Sequence, residues 1–441
     1  MIRKKPRVSV IIAIYNAERY LKKTLDSLME QTYENMEMIF VEDGSTDASK
    51  AILARYSVKD ERIRVLHQEY ESHNASKAFN MGIDHANGDY LMLLNDYDIF
   101  EPDLVETAMK KADSAGADMV LYDAWLYDEG SDSDRYVDFY LNRDVLAGRH
   151  NITPHKWNKD LYDITSGCTW NMLVSRRMVN LYNIRLRDLN GAPDLEFAYL
   201  ALSCAQTVSI CYRRLVHNRR YAASNHRTRI NEWPETGYQA YLNIREELKK
   251  RGLYETYKIA FANKVMEEVE YYLKRMTDEQ SFLKLYNALH DGFLERLGVY
   301  EISDRDFATR RAVVVRDAIR DMTPMEYLLN VKDDVIEKER DYFKLPYSRD
   351  KKHRPRVAIF GTRNPAAVVF FNCIREEDLD IVCWADFKGD EKNSIVTGID
   401  EMVEKRPDYV FVVNPGIEYL RKVKEALRSR TFDERRVISL R

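Results

Sequence analysis

The sequence predicts an α/β protein in which two regions of alternating strands and helices flank a stretch that is helical throughout. Three observations carry this. Short, continuous, β-branched apolar runs such as residues 8–15 (VSVIIAIY) read as strands buried on both faces of a parallel sheet. Amphipathic helical spacing follows each early run, as in Leu21, Leu25, Leu28 and Met29 on one face. From residue 235 to about 343 apolar residues recur at helical spacing only, and strands return after residue 355.

Taken in order, residues 8–15 form the first strand, and Asn16 is placed to cap the helix that follows. Residues 36–41 are the second strand, which stops at the turn formers of EDGSTD, 42–47. A third strand over 64–67, a helix over 76–86 and a fourth strand over 90–94 come next, the last ending at Asn95, Asp96, Tyr97 and Asp98. Pro102 suits the first position of another helix. This alternation implies a right-handed, mostly parallel sheet whose ligands bind beyond the carboxyl ends of the strands. Asp43, Asp96 and Asp98 lie at those ends. In the helical stretch Val265, Val269, Tyr272 and Leu273 share a face, and Thr277 with Gln280 and Thr323 with Glu326 read as capping boxes. Residues 345–355, polar, basic and bracketed by prolines, read as a linker. The second, smaller α/β region has strands expected over 356–360, 380–384, 409–413 and 436–440. The expected organisation is therefore 1–234, a helical segment 235–344, a linker 345–355 and 356–441.

The composition narrows the function. Lys plus Arg number 68 against 72 Asp plus Glu, a net charge of -4, which lacks the basic excess of a nucleic-acid-binding chain. The five cysteines are odd in number and never spaced as CxxC, so they read as reduced thiols. The run 8–15 is far short of the roughly 20 residues a membrane span needs, and no cleavage site follows it. The expectation is a cytoplasmic protein without a transmembrane segment, at most peripheral to the inner face of the membrane. The apolar faces of the helical segment would suit a homo-oligomer.

Three constellations carry chemistry. Tyr15 and Asn16 with Asp43 bring a ring and a carboxylate to neighbouring strand ends, where they can stack on a base and accept from its ring N–H. Asp96 and Asp98, two apart at a strand end, could hold Mg²⁺ or Mn²⁺ together with a diphosphate. Asp194 and Glu196, followed by His217, Arg219 and Arg220, offer a general base and phosphate donors. Singly, each also fits a plain structural role: turn formers, first-turn helix charges, a solvated basic face, and for Asp47 a helix cap. No Walker A loop and no GxSxG elbow occurs.

Assembled, these residues resemble glycosyltransferase family 2. The opening VSVIIAIYN is similar to that family's first strand, DSLMEQTY (26–33) to the end of its first helix, and VEDGSTD (41–47) to its second strand end. Residues 87–91 and 101–103 bracket the position of its acidic metal motif, and Trp170, Asn171 and 194–197 are similar to its acceptor-side segments. The resemblance covers about the first 230 residues. It implies the GT-A fold, a nucleoside-diphosphate sugar as donor, a glycan or lipid-linked glycan as acceptor, and an inverting single displacement in bacterial surface polysaccharide assembly. In it Asp43 contacts the base, Tyr15 stacks on it, a divalent metal sits at Asp96 and Asp98, and Asp194 is the base. The chain departs from the pattern at Tyr97, which stands where the family's most common metal-binding Asp falls, and at Pro193 and Phe79. Those departures leave a second reading, a binding or scaffold protein that keeps the fold without transferring. The C-terminal region resembles Rossmann-type domains, with Asp386 at the ribose-binding position; Gly361 is the only glycine of their phosphate-binding pattern, which implies a structural or partner-binding role.

Overall fold

The computed structural model describes residues 8–68, 75–137, 140–187, 193–219, 236–276, 278–330, 356–361, 380–387, 396–412, 417–433 and 436–439. By internal contacts the chain divides into two compact units, Met1–Asp317 and Ala318–Arg441.

In the first unit β1 (Val8–Ile14), β2 (Met36–Glu42), β3 (Ile63–His67) and β4 (Tyr90–Leu94) pair in parallel in the order β3-β2-β1-β4. Helices α1 (Leu21–Met29), α2 (Ser49–Ser57) and α3 (Ala75–His85) make the crossovers. β1 is buried along its length apart from Ala13, and β2 is buried throughout, the polar Ser9, Glu37 and Glu42 included among their mostly apolar residues. The sheet continues through strands that the apolar pattern does not announce. β5 (Ile99–Phe100) and α4 (Leu104–Ala115) lead to β6 (Met119–Asp128) and β7 (Ser133–Tyr136), an antiparallel pair. After the short α5 (Arg143–Leu146) and β8 (Asn151–Ile152), β9 (Met172–Ser175) runs antiparallel between β4 and β6. Helices α6 (Arg176–Leu181) and α7 (Pro193–Cys204) then lead to β10 (Val208–Arg219), which lies parallel to β6. The full order is β3-β2-β1-β4-β9-β6-β10-β5.

The helical residues up to Asp317 belong to this first unit. The tie is visible in α8 (Thr236–Lys250) and α9 (Tyr254–Arg275). Arg187 pairs with Glu196 of α7 at 2.9 Å and with Glu247 of α8 at 2.6 Å, and Ala260 of α9 donates its N–H to the Asn158 carbonyl at 3.1 Å. α10 (Glu279–Ala288) is capped by Asp278, whose carboxylate accepts the Ser281 N–H at 2.8 Å; Thr277, expected in that role, lies outside the described residues. The second expected box is present, Thr323 and Glu326 bonding reciprocally at 2.8 and 3.3 Å.

In the second unit five strands pair in parallel: β11 (Arg356–Phe360), β12 (Asp380–Asp386), β13 (Val396–Gly398), β14 (Tyr409–Val412) and β15 (Val437–Ser439), ordered β13-β12-β11-β14-β15. Asp386 accepts from the Phe387 N–H at 2.8 Å and from the Tyr419 hydroxyl at 3.2 Å. Among the described residues no helix is long and apolar enough to cross a membrane.

α3 lies close enough to the sheet that a Cβ on Gly82 would sit 2.3 Å from the buried Ile11 Cγ2. Gly82→Ala should therefore lower stability by about 1–3 kcal/mol despite its better helix propensity. A denaturant midpoint that falls at unchanged slope would verify this; an unchanged or higher midpoint would refute the close approach.

Candidate functional site

The exits of β1 and β2 are stitched together by side chains of the 42–47 turn. Asn16 has φ 48°, a left-handed conformation that asparagine tolerates, and its Oδ1 accepts the Thr46 N–H at 2.8 Å. Its own N–H donates to Ser45 Oγ at 3.1 Å, and Glu18 N–H to Asp47 Oδ2 at 2.9 Å. Asn16 thus does not cap α1, whose cap position is Tyr20; its partner comes from 30 residues away. Asp47, expected as a cap, stands one residue before the cap position of α2, which is Ala48, and accepts the Ser49 N–H at 2.9 Å. Glu42 is buried, and although burial favours its neutral form, the Ser45 N–H and hydroxyl, His67 and Lys50 hold its pKa below the usual range.

Asp43 and Tyr15 stand just past these two strand ends, Asp43 buried and Tyr15 41% exposed. The Asp43 N–H donates to the Ile14 carbonyl at 2.9 Å, so the ladder carries both residues to one level.

At the end of β4 the two carboxylates behave differently. Asp98 is fully buried, and its oxygens accept from Asn95 Nδ2 at 2.8 Å, Asn218 Nδ2 at 3.1 Å and the Arg219 N–H at 2.9 Å. Burial nevertheless raises its pKa to about 6. Asp96 stays partly exposed, and burial together with the neighbouring Asp98 charge raises it to about 7. Thr24 Oγ1 lies within bonding distance of both loop carbonyls, Asp98 O at 2.8 Å and Asp96 O at 3.1 Å. Asp98, expected beside Asp96 as a metal ligand, is therefore engaged on both oxygens by the protein itself. Among the described residues no three His, Cys, Asp or Glu side chains converge on one point.

Arg219, expected at a diphosphate, has a fully buried side chain. Its Nε donates to the Tyr97 carbonyl at 2.8 Å, its guanidinium lies over the rings of Tyr20 (4.5 Å) and Tyr127 (5.1 Å), and one terminal nitrogen is 3.1 Å from Glu129 Oε1. It thus braces the 95–98 loop from behind. Arg220 lies outside the described residues.

Asp194 opens α7. Burial raises its carboxyl to about 6, and a hydrogen bond from Thr169 partly offsets that. Glu196 is buried in the ion pair with Arg187 and so serves the packing of α7 on α8. The loop that supplies Thr169 can approach α7 only because Gly167, at φ +73°, has no Cβ; one would lie 2.8 Å from Leu195 Cδ1 and 2.9 Å from Tyr199 Cζ. Thr24, Asn95, Thr169 and Asn218 were not legible as site residues in the sequence, although Asn95 and Asn218 sit inside the segments 95–98 and 217–220 singled out there.

Residues 9–181 match the model described as Glycosyl transferase family 2. Residues 9–181 form a glycosyltransferase family 2 domain. The chain is similar to glycosyltransferase GlyG of Streptococcus pneumoniae, 40% identical over 134 residues, which is 30% of this chain and 43% of that protein. It is similar to TuaG of Bacillus subtilis, named for teichuronic acid biosynthesis, 39% identical over 106 residues, 24% of this chain and 42% of that protein. The chain thus spans less than half the length of these two relatives. Among solved structures, S. aureus TarS with UDP-GlcNAc matches at TM-score 0.61 and 17% identity, covering 75% of this chain and 92% of that one. This likeness shows that the family 2 domain has the GT-A fold.

If Asp98 is a structural carboxylate, Asp98→Ala leaves buried donors without an acceptor and should cost at least about 2 kcal/mol in metal-free buffer. A metal-free urea titration with wild-type stability would instead return Asp98 to the role of ligand.

Proposed function

We propose that the protein transfers a sugar from a nucleoside diphosphate to a hydroxyl of a growing surface glycan, with inversion at the anomeric carbon. The observation that carries this reading is the family 2 match over residues 9–181, with Tyr15, Asp43 and Asp96 at the ends of β1, β2 and β4. In it, the base rests against Tyr15 and donates its ring N–H to Asp43. Asp194 accepts the proton of the acceptor hydroxyl as that oxygen bonds to the anomeric carbon, while the bond from that carbon to the diphosphate breaks. A carboxyl near 6 is half ionised just below neutrality, which suits a base better than the ion-paired Glu196. A divalent metal fits as an ion held by Asp96 and the donor's own diphosphate, since Mg²⁺ commonly binds one or two carboxylates plus phosphates. When bound, it would neutralise the diphosphate leaving group. The acceptor as a surface glycan, free or lipid-linked, is supported by the name of TuaG.

Tyr97 at the family's metal position favours a second reading, a nucleotide-binding scaffold without transfer, which the same assay separates. With labelled donors, Asp194→Asn should lower transfer by about 10²–10⁴-fold with nucleotide affinity unchanged. Full activity in that variant would remove Asp194 as the base. Asp194 acts ionised, so kcat/KM should rise with pH from about 5 to about 7, as its carboxyl near 6 loses its proton. A flat profile over that window would contradict this role.

A further inference from the structure

Two arginines converge on one exposed ring in the mixed half of the sheet. Tyr136 of β7 is 47% exposed. The guanidinium of Arg214, on β10, lies 4.3 Å from the centre of its ring, and that of Arg143, on α5, lies 5.7 Å away. Trp125 of β6 flanks Arg214 at 4.4 Å, and Tyr212 of β10 flanks Arg143 at 5.4 Å. Aromatic faces hold guanidinium planes in place and leave their N–H edges available. Those edges reach water, because the Arg214 side chain stays 26% exposed and that of Arg143 35%.

One carboxylate, Asp123, stands between the two cations, and it is already engaged. Its Oδ2 accepts from Nε and Nη2 of Arg143 at 3.2 and 2.6 Å, and its Oδ1 accepts the Ala124 N–H at 2.9 Å. Arg214 Nε lies 3.9 Å from it, beyond hydrogen-bond reach. Among the described residues the Arg214 guanidinium donates no hydrogen bond at all. The other carboxylates nearby along these strands are taken: Asp134 and Glu101 face His217, and Asp103 pairs with Arg213. A guanidinium largely withdrawn from water, with five donors and no acceptor, is costly. Its planar fork is matched by a carboxylate or a phosphate.

The acceptor side of the domain adjoins this pair. Asp123 follows Tyr122, whose N–H donates to the Asn171 carbonyl at 3.1 Å and whose hydroxyl donates to the Trp170 carbonyl at 2.8 Å. Thr169, the partner of Asp194, immediately precedes Trp170. We propose that Arg214, with Arg143 beside it, binds a carboxylate or phosphate carried by the acceptor glycan, so that acidic chains are held in preference to neutral ones. This rests on the reading above that the acceptor is a glycan.

The test is calorimetric titration of the full chain at low salt, without nucleotide, for wild type, Arg214→Met and Arg214→Lys. The probes are tetragalacturonate, mannose 6-phosphate and the neutral maltotetraose. At least one acidic probe should saturate wild type and bind about tenfold or more tighter than maltotetraose. Tighter binding of tetragalacturonate would identify the recognised group as a carboxylate, and tighter binding of mannose 6-phosphate would identify it as a phosphate. Arg214→Met should weaken the preferred probe about tenfold or more. Arg214→Lys keeps a cation on the rings, so it serves should the methionine variant fail to fold; without the planar fork it should still weaken binding about threefold or more. No saturable binding of either acidic probe, equal binding of maltotetraose, or wild-type affinity in the Arg214 variants would overturn the inference. Any of these, found while wild type transfers sugar to a glycan from a labelled donor, would overturn it alone. Absence of transfer to any glycan would overturn it together with the reading beneath it.

Discussion

One buried carboxylate holds the candidate site together. Asp98 is fully enclosed, at the point where β4 exits and β10 ends, and it receives donors from both: Asn95 on one side, Asn218 and the Arg219 N–H on the other. It ties the loop after β4 to the end of β10, beside the Arg219 Nε bond to the Tyr97 carbonyl. Burial opposes the charge, as the raised pKa near 6 records, so the carboxylate persists there only because its donors are fixed by two strands. Asp96 gains its place from that anchor. It is the carboxylate left partly exposed once Asp98 faces inward, and Thr24 holds the loop from the α1 side.

A second constraint acts at the exits of β1 and β2. The EDGSTD turn has the look of a binding motif, yet most of its letters serve the backbone: Ser45, Thr46 and Asp47 bond the loop after β1, and Glu42 closes the turn on Ser45. This stitching brings Tyr15 and Asp43 to one level. A motif can therefore be specific to a family while most of its residues build the site and few touch the ligand.

The parallel half of the fold was legible because its strands are buried on both faces, which leaves a mostly apolar run in β1, β2 and β4. The mixed half was not. β10 contains Tyr212, Arg213, Arg214, His217, Asn218 and Arg219, and read locally it fits a solvated basic face. Its polar side chains are paired by residues far away in sequence: Arg213 with Asp103, His217 with Glu101 and Asp134, Arg219 with Glu129. Partners of that separation leave no periodic trace. The same blindness misassigned Asn16 as a cap and hid the inward turn of Asp98. Asp194 was named by resemblance, while its hydrogen bond from Thr169 and the close approach at Gly167 left no sequence signal.

The central claim is that the ends of β1, β2 and β4 form one donor site. It is tested most directly by a crystal structure of the protein soaked with UDP and Mn²⁺, read by anomalous scattering from the metal. A base lying against Tyr15 and within bonding distance of Asp43, with an anomalous peak between Asp96 and the diphosphate, is the predicted result. A nucleotide bound elsewhere, or a metal peak away from Asp96, would contradict it.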